Sequence, residues 1–165
     1  MRVKRKFLDP DIPRKSSLLD NHLKEQKGVK RPPLFAVLEF NLTGLCNRKC
    51  IFCPRNDPKD FHDVDKHISV ELYEKVMIDL KGIGFDGTIL YSSFGEPLLY
   101  KDIEALIKLS RKHCPQARVE MITNGDLITL EKLTNLFAAG LTLISISMYD
   151  GPHQTEYFNN LMIIY

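Results

Sequence analysis

The sequence of 165 residues contains no apolar run long enough to cross a membrane, which takes about 20 predominantly apolar residues. The basic start, Arg2 to Lys6, is not followed by the apolar stretch of a secretory signal peptide. Internal repeats and low-complexity tracts are also lacking. With 44% hydrophobic and 27% charged residues, these absences predict an ordinary globular domain with one sizeable core, located in the cytoplasm.

Cysteine is scarce and unevenly distributed. Only four cysteines are present, and three of them, Cys46, Cys50 and Cys53, lie within one short segment. Disulfide pairing inside that segment would leave an odd cysteine over, and a reducing cytosol keeps thiols free. We therefore predict a shared metal centre there. Cys114 lies far from the segment and is predicted to be a free thiol.

Positive charge is concentrated at the start of the chain, where residues 1–31 carry ten Lys or Arg against four Asp or Glu. A basic arm can bind nucleic acid, an acidic membrane surface or an acidic partner. The arm contains prolines without interleaved aromatic residues, namely Pro10, Pro13, Pro32 and Pro33. This composition favours a solvated extension over residues 1–34 ahead of a core domain over 35–165, and nucleic acid is not the predicted partner.

Hydrophobic periodicity after residue 34 predicts strands alternating with helices. Strands are expected at residues 35–43, 88–94, 118–123 and 141–149. Helices are expected to begin after Ser69, Asp102 and Thr129, and to end at Gly82 to Gly84, before Pro115 and at Gly140. Such alternation implies βαβ units with a parallel sheet, an α/β fold class. In these folds the functional residues gather at the carboxyl ends of the strands.

Three thiolates leave one coordination position open for a ligand that is not part of the protein. A tetrahedral zinc site, completed by His62, His67 or Cys114, would use the same cysteines. The spacing C-x-x-x-C-x-x-C, with Phe52 just before the last cysteine, closely resembles the cluster motif of the radical S-adenosylmethionine (radical SAM) enzymes. That resemblance implies that Cys46, Cys50 and Cys53 hold a 4Fe-4S cluster, whose fourth iron chelates the amino and carboxylate groups of S-adenosylmethionine, and that Phe52 packs near this cofactor.

A second motif of that family is matched at the end of the second predicted strand. Gly95, Glu96 and Pro97 are similar to the family's G-G-E-P pattern, with Phe94 in place of the first glycine. The resemblance implies that Glu96 receives the amino group of S-adenosylmethionine and that Gly95 lets the cofactor approach the backbone. Taken alone, the same residues read as a solvated turn.

The third and fourth predicted strands end in further polar groups. Asn124, within Thr-Asn-Gly, is similar to the family residue that approaches the nucleoside, although Asn-Gly is also an ordinary turn. Ser145 and Ser147 share one face of the fourth strand, and the resemblance implies that they help bind the ribose or carboxylate of the cofactor. Hydrogen bonding of these serines to the backbone is the alternative.

The resemblance covers about residues 34–155. It implies a partial (β/α) TIM-like barrel, with about four of the usual six βα units present. It also implies an enzyme that reductively cleaves S-adenosylmethionine to a 5′-deoxyadenosyl radical for hydrogen abstraction, supplied with electrons by a donor such as flavodoxin or ferredoxin. The motifs are most similar to the SPASM or Twitch and the molybdenum-cofactor-type branches.

Two alternatives stay open at this point, a zinc-binding module on a βα fold and an inactive truncated relative. The apolar run at residues 161–165 has no cap and no closing turn, which favours a fragment of a longer enzyme whose fourth strand has an unpaired edge. The substrate cannot be predicted from the sequence.

Overall fold

The computed structural model describes residues 11–25, 27, 34–57, 59, 61 and 64–164. The chain divides into two compact units, Met1–Ala36 and Val37–Tyr165. In the first unit, helix α1 spans Asp11–Glu25, and the buried His22 lies with its Nε2 3.4 Å from the carbonyl oxygen of Leu34. This helix was not predicted from the sequence. The predicted domain boundary between residues 34 and 35 stays a prediction.

The second unit is built on a sheet of four parallel strands in the order β1-β2-β3-β4. The strands are β1 Val37–Phe40, β2 Thr88–Tyr91, β3 Arg118–Thr123 and β4 Leu143–Ile146. The helices are α2 Val70–Gly82, α3 Ile103–His113, α4 Leu130–Ala139 and α5 Pro152–Ile164, with single 3-10 turns at Pro54–Asn56 and Pro97–Leu99. The predicted α/β class with a parallel sheet is therefore confirmed.

The core lies between one face of the sheet and the helices, where α2 packs on α3 and α3 packs on α4. Alternate residues of the central strands face these helices and are fully buried, together with helix residues: Ile89, Tyr91, Val119, Met121, Tyr73, Met77, Leu106, Ile107 and Leu136. Burying each such aliphatic side chain contributes about 1.5–3 kcal/mol. This packing fixes the sheet as a rigid base for the loops at its carboxyl edge.

The helices α2, α3 and α4 begin and end at the predicted positions, and three of these ends show the expected capping geometry. The Ser69 hydroxyl accepts a hydrogen bond from the Leu72 N–H at 3.1 Å, and the Thr129 hydroxyl accepts one from the Lys132 N–H at 3.1 Å. Gly140 ends α4 with a φ of 112°, in the left-handed region that favours glycine. Asp102 occupies the N-cap position of α3 without a capping hydrogen bond from its side chain.

Only β3 has its predicted bounds, and the other three strands are shorter than predicted. After β1 the chain pairs with a different segment, since the Leu42 carbonyl accepts from the Ile68 N–H at 3.0 Å. After β2 the ladder is interrupted by Ser93, whose φ of 88° lies in the left-handed region. Before β4, the N–H of Leu141 donates to a carbonyl of α4 instead of joining the sheet. At these ends the alternation of side chains in the sequence extends beyond the residues that pair in the sheet, so the strands predicted from it were too long.

Among the described residues, no helix combines the length and apolar character that crossing a membrane requires.

Candidate functional site

The three clustered cysteines lie on a loop, residues 46–53, which follows β1 at the carboxyl edge of the sheet and is called the cysteine loop below. Cys46, Cys50 and Cys53 are all free and half-buried. The base of the loop is fixed by a backbone hydrogen bond of 2.8 Å from Glu96 N–H to the carbonyl of Leu45. Within the loop, the Arg48 N–H donates to Cys46 Sγ at 3.5 Å. The loop is thus joined directly to the motif that follows β2.

The three thiols are close enough to influence one another. Burial raises the pKa of the Cys50 thiol, the charge of Arg48 opposes that rise, and the neighbouring Cys46 and Cys53 add to it. Among the residues that the structure describes, no three His, Cys, Asp or Glu side chains are already arranged so that they could hold a metal ion. The loop therefore presents three neighbouring thiols whose side chains must converge to ligate a shared centre.

The residues that could complete a zinc site are placed differently. Cys114 is free and buried, with its Sγ 3.7 Å from the Met77 carbonyl oxygen. It follows α3 and precedes β3, so it lies at the edge of the sheet opposite to the cysteine loop. His67 lies with Nε2 3.0 Å from Asp65 Oδ1, and His62 is outside the described residues. Cys114 is therefore remote from the cluster of cysteines, as predicted.

Glu96 is buried, with a relative exposure of 3%, and its carboxylate bonds to the end of β3. Oε1 accepts hydrogen bonds from the Thr123 hydroxyl at 2.6 Å and from the Leu98 N–H at 3.0 Å. Oε2 accepts one from the Asn124 N–H at 2.9 Å. Since each carboxylate oxygen can accept about two hydrogen bonds, Oε2 retains the capacity for one more donor.

Gly95 lies where the ends of β1 and β2 come into contact. A Cβ atom at this position would stand 1.9 Å from the carbonyl oxygen of Thr43 and 2.9 Å from Asn41 Oδ1. The Gly95 N–H donates to the same Asn41 Oδ1 at 3.2 Å. Only glycine fits this approach without a backbone shift. Phe94, the departure from the family pattern, is half-exposed and packs on Phe61 with the ring centroids 5.3 Å apart.

Asn124 connects the end of β3 to the cysteine loop. Its Nδ2 donates to Asn47 Oδ1 at 2.8 Å, and Asn47 Nδ2 in turn donates to Asp126 Oδ2 at 3.0 Å. Asn124 Oδ1 also accepts from the Asp126 N–H at 3.0 Å. Asn47 and Asp126 were not predicted as site residues. The polar character of the loop was the one signal in the sequence that pointed to Asn47.

Arg48 pairs with two carboxylates that come from different strand ends. Its guanidinium bonds Asp126 through Nη2 and through Nε, the latter at 2.7 Å, and Nη2 also pairs with Asp150 at 2.7 Å. The hydrogen bond with Arg48 lowers the pKa of Asp126, and the same bond raises the pKa of Arg48. Arg48 Nη1 is buried and has no hydrogen-bond partner among the described residues. The sequence did not reveal these pairs because the partners are distant in the chain.

Ser145 lies within β4 and Ser147 directly after it, while Phe52 belongs to the cysteine loop and contacts the segment that follows β4. Phe52 is exposed, and its ring meets that of Tyr149 edge-on with centroids 4.8 Å apart. Ser145 and Ser147 are half-buried, and their hydroxyls make no hydrogen bond to the described residues. The predicted site residues therefore lie at the carboxyl edge of the sheet, Ser145 within β4 and the others on the segments that follow the four strands.

Comparison with known proteins accounts for this arrangement. The family model described as the radical SAM superfamily matches residues 40–160. The chain belongs to the radical SAM superfamily. It is similar to the S-adenosyl-L-methionine-dependent 2-deoxy-scyllo-inosamine dehydrogenase of Niallia circulans, with 30% identity over 72% of this chain and 46% of that protein. It is also similar to the Fe-coproporphyrin III synthase of Methanosarcina barkeri, with 32% identity over 87% of this chain and 33% of that protein.

Among solved structures, the chain is similar to BtrN in complex with AdoMet and 2-DOIA, with a TM-score of 0.68 and 28% identity. That likeness covers 74% of this chain and 49% of BtrN. It confirms the predicted partial (β/α) barrel. Membership of the radical SAM superfamily likewise confirms the predicted family, its enzyme class and its cofactors, a 4Fe-4S cluster and S-adenosylmethionine. The branch within the superfamily stays a prediction.

This chain spans less than half the length of the curated relatives it matches, 46% of the dehydrogenase and 33% of the synthase. Radical SAM proteins cleave S-adenosylmethionine for radical chemistry. The activity, substrate and partners of the whole protein to which this chain corresponds are therefore matters for proposal.

Proposed function

We propose that this chain is a radical SAM enzyme that binds a 4Fe-4S cluster through Cys46, Cys50 and Cys53 and holds S-adenosylmethionine at the adjoining strand ends. The observation that carries the proposal is the direct bonding of the cysteine loop to the motifs after β2 and β3. Leu45 bonds to Glu96, and Asn47 bonds to Asn124. Residues that would serve the cluster and residues that would serve the second cofactor thus form one continuous site.

The donor set fits an iron-sulfur cluster. Three thiols on one loop leave one position for a ligand from outside the protein, as a cluster with a site-differentiated iron requires. The Arg48 N–H is already directed at Cys46 Sγ, and hydrogen bonds to the sulfurs are one way in which a protein tunes a cluster. The half-buried loop limits the access of water to the thiolates without closing the site.

The strand ends fit a zwitterionic nucleoside cofactor. Glu96 Oε2 can accept one donor beyond the Asn124 N–H, which suits an ammonium group. The absence of a side chain at Gly95 lets the segment after β1 pack against it, which holds the neighbouring Glu96 close to the cysteine loop. The hydroxyls of Ser145 and Ser147 are available to bond a ribose or a carboxylate. Phe52, on the cysteine loop, is exposed and offers an apolar surface.

With a cluster held by Cys46, Cys50 and Cys53 and S-adenosylmethionine held beside it, the bound cofactors would supply reductive cleavage of S-adenosylmethionine and hydrogen abstraction from a substrate. The residues of this chain bind, orient and shield. Glu96 orients the amino end, and Ser145 and Ser147 the opposite end. Phe52, packed on Tyr149, helps exclude water. A small electron-transfer protein such as flavodoxin or ferredoxin is the proposed reductant, and the substrate is left unassigned.

The proposal is tested by anaerobic purification, reconstitution with iron and sulfide, and assay of 5′-deoxyadenosine after chemical reduction. We expect about four irons and four sulfides per chain and formation of 5′-deoxyadenosine from S-adenosylmethionine. Alanine at Cys46, Cys50 or Cys53 should abolish both, while Cys114→Ala should leave both intact. Stoichiometric zinc without iron would establish the zinc module instead, and a cluster that never supports cleavage would establish an inactive relative.

A further inference from the structure

Arg48 is the point at which the cysteine loop meets the ends of β3 and β4. Its guanidinium pairs with Asp126, which follows β3, and with Asp150, which follows β4. The Arg48 side chain is only 11% exposed, whereas those of Asp126 and Asp150 are 35% and 50% exposed. A largely buried guanidinium held by two carboxylates restrains the loop more strongly than an exposed surface pair does.

The same residue touches the first of the three thiols through its backbone. The Arg48 N–H donates to Cys46 Sγ at 3.5 Å, so the residue whose side chain pairs with Asp126 and Asp150 also bonds the first thiol through its backbone. Asn47 reinforces the restraint from the preceding position, since its Nδ2 donates to Asp126 Oδ2 at 3.0 Å. One carboxylate therefore holds two consecutive residues between Cys46 and Cys50.

We propose that Arg48 is a positioning residue. Held by ion pairs with Asp126 and Asp150, it sets the arrangement of the cysteine loop and places positive charge beside the cluster. The inference rests on the proposed function, because it assigns Arg48 a role toward the cluster of that site. Arg48 does not ligate the cluster. Its contribution is a preformed loop and a hydrogen bond directed at the sulfur of Cys46.

The fork of an arginine is needed for this geometry. Nε and Nη2 bond the two oxygens of Asp126 in parallel while Nη2 also reaches Asp150. A lysine ammonium supplies one compact charge and cannot reproduce the planar, two-point contact. Lys49, the next residue, carries the same formal charge on the same loop but is exposed. Lys49→Met is therefore a matched control, because it removes the same charge from a long side chain on the same loop.

The first measurement uses the chain without iron. The rate at which a maleimide labels the thiols is followed by mass spectrometry for wild type, Arg48→Met, Arg48→Lys and Lys49→Met. We expect the three loop thiols of Arg48→Met to react several-fold faster than in wild type, those of Arg48→Lys to be intermediate, and Lys49→Met to match wild type. The buried Cys114 reports global unfolding in each sample.

The second measurement is the midpoint potential of the reconstituted cluster. Arg48→Met removes a nearby cation and the ion pairs with Asp126 and Asp150, while the backbone N–H that faces Cys46 remains. The reduced cluster is then stabilised less, so the potential should shift to a more negative value, and Lys49→Met should shift it less. Wild type that assembles no cluster would defeat the proposed function. Wild type with a normal cluster, together with an Arg48→Met protein that equals Lys49→Met in labelling rate or in potential, would overturn the role of Arg48 alone.

Discussion

The carboxylate of Glu96 accepts a hydrogen bond of 2.9 Å from the backbone N–H of Asn124, so the motif that ends β2 is bonded to the motif that ends β3. The Thr123 hydroxyl donates to the other carboxylate oxygen at 2.6 Å. Glu96 therefore has a structural task in addition to the cofactor contact proposed for it. The structural role of Glu96 affects stability, and its proposed role toward the cofactor affects the affinity for S-adenosylmethionine, so the two can be measured separately.

Replacing Glu96 with glutamine should lower both stability and cofactor affinity. The amide nitrogen cannot accept the hydrogen bond that a carboxylate oxygen accepts, and leaving a buried donor unpaired costs about 1–3 kcal/mol. For a chain of this size, Tm should fall by about 2–4 °C for each kcal/mol. S-adenosylmethionine should bind more weakly while the iron content is unchanged. Calorimetry of Glu96→Gln beside the exposed control Glu156→Gln measures both effects, and an unchanged affinity would remove Glu96 from the cofactor site.

Gly95→Ala and Gly82→Ala form a matched pair. A Cβ at Gly95 would stand 1.9 Å from the Thr43 carbonyl oxygen, whereas a Cβ at Gly82 meets nothing within 4 Å. Urea unfolding should show Gly95→Ala destabilised by about 1–3 kcal/mol and Gly82→Ala unchanged or stabilised by up to about 1 kcal/mol, because Gly82 lies in a helix. Equal stabilities of the two variants would show that the contact at Gly95 is not tight.

We expect Ser145 and Ser147 to bind a ligand and Ser110 to stabilise the core. Ser145 and Ser147 make no side-chain hydrogen bond to the described residues, so alanine at either position should weaken S-adenosylmethionine binding by about 2- to 10-fold, the worth of one ordinary hydrogen bond, without changing Tm. Ser110 bonds Tyr73 at 2.6 Å and Tyr91 at 3.0 Å. Ser110→Ala should instead lower Tm and leave S-adenosylmethionine binding unchanged. A fall in Tm for the first two variants would assign those hydroxyls to the fold.

Alkaline pH should destabilise the protein through buried core tyrosines, of which Tyr73 and Tyr91 are fully buried. Burial raises the pKa of Tyr91 to about 12 and raises that of Tyr73 well above its usual value. An unfolded tyrosine ionises near pH 10. The folded state therefore binds more protons, and the contribution is fully present below pH 10 and lost as pH rises through the folded pKa.

The loss amounts to at most about 1.4 kcal/mol per pH unit for each tyrosine. Urea unfolding between pH 8 and pH 11 should show the decline starting near pH 10. Tyr91→Phe should be less stable at pH 8 but should show a shallower decline. A wild-type slope in Tyr91→Phe would contradict the assignment.

Local signals in the sequence were sufficient for much of the fold. The caps at Ser69 and Thr129 and the glycine after α4 depend on residues a few positions apart, and the structure contains them as predicted. The helix α1 was missed because Pro13 was read as a mark of an extended arm. Proline is tolerated in the first turn of a helix, where its missing N–H has no partner to lose, and Pro13 lies in the first turn of Asp11–Glu25.

The residues of the candidate site could be proposed from the sequence, but the hydrogen bonds that join them could not. The cysteine spacing and the strand-end motifs located the residues, since each is a short pattern. The bonds from Glu96 to Asn124 and from Arg48 to Asp126 join segments that are distant in sequence. Such pairs depend on strand order and register, which bring the ends of β2, β3 and the cysteine loop together only in the folded chain.

The most direct test of the central claim is the electron paramagnetic resonance spectrum of the reduced, reconstituted protein with and without S-adenosylmethionine. If three cysteines hold the cluster and its fourth iron is open to the cofactor, the g-values should shift when S-adenosylmethionine is added. The shift should persist in Cys114→Ala, and no cluster signal should form in Cys50→Ala. A cluster signal that is identical with and without S-adenosylmethionine would contradict the account.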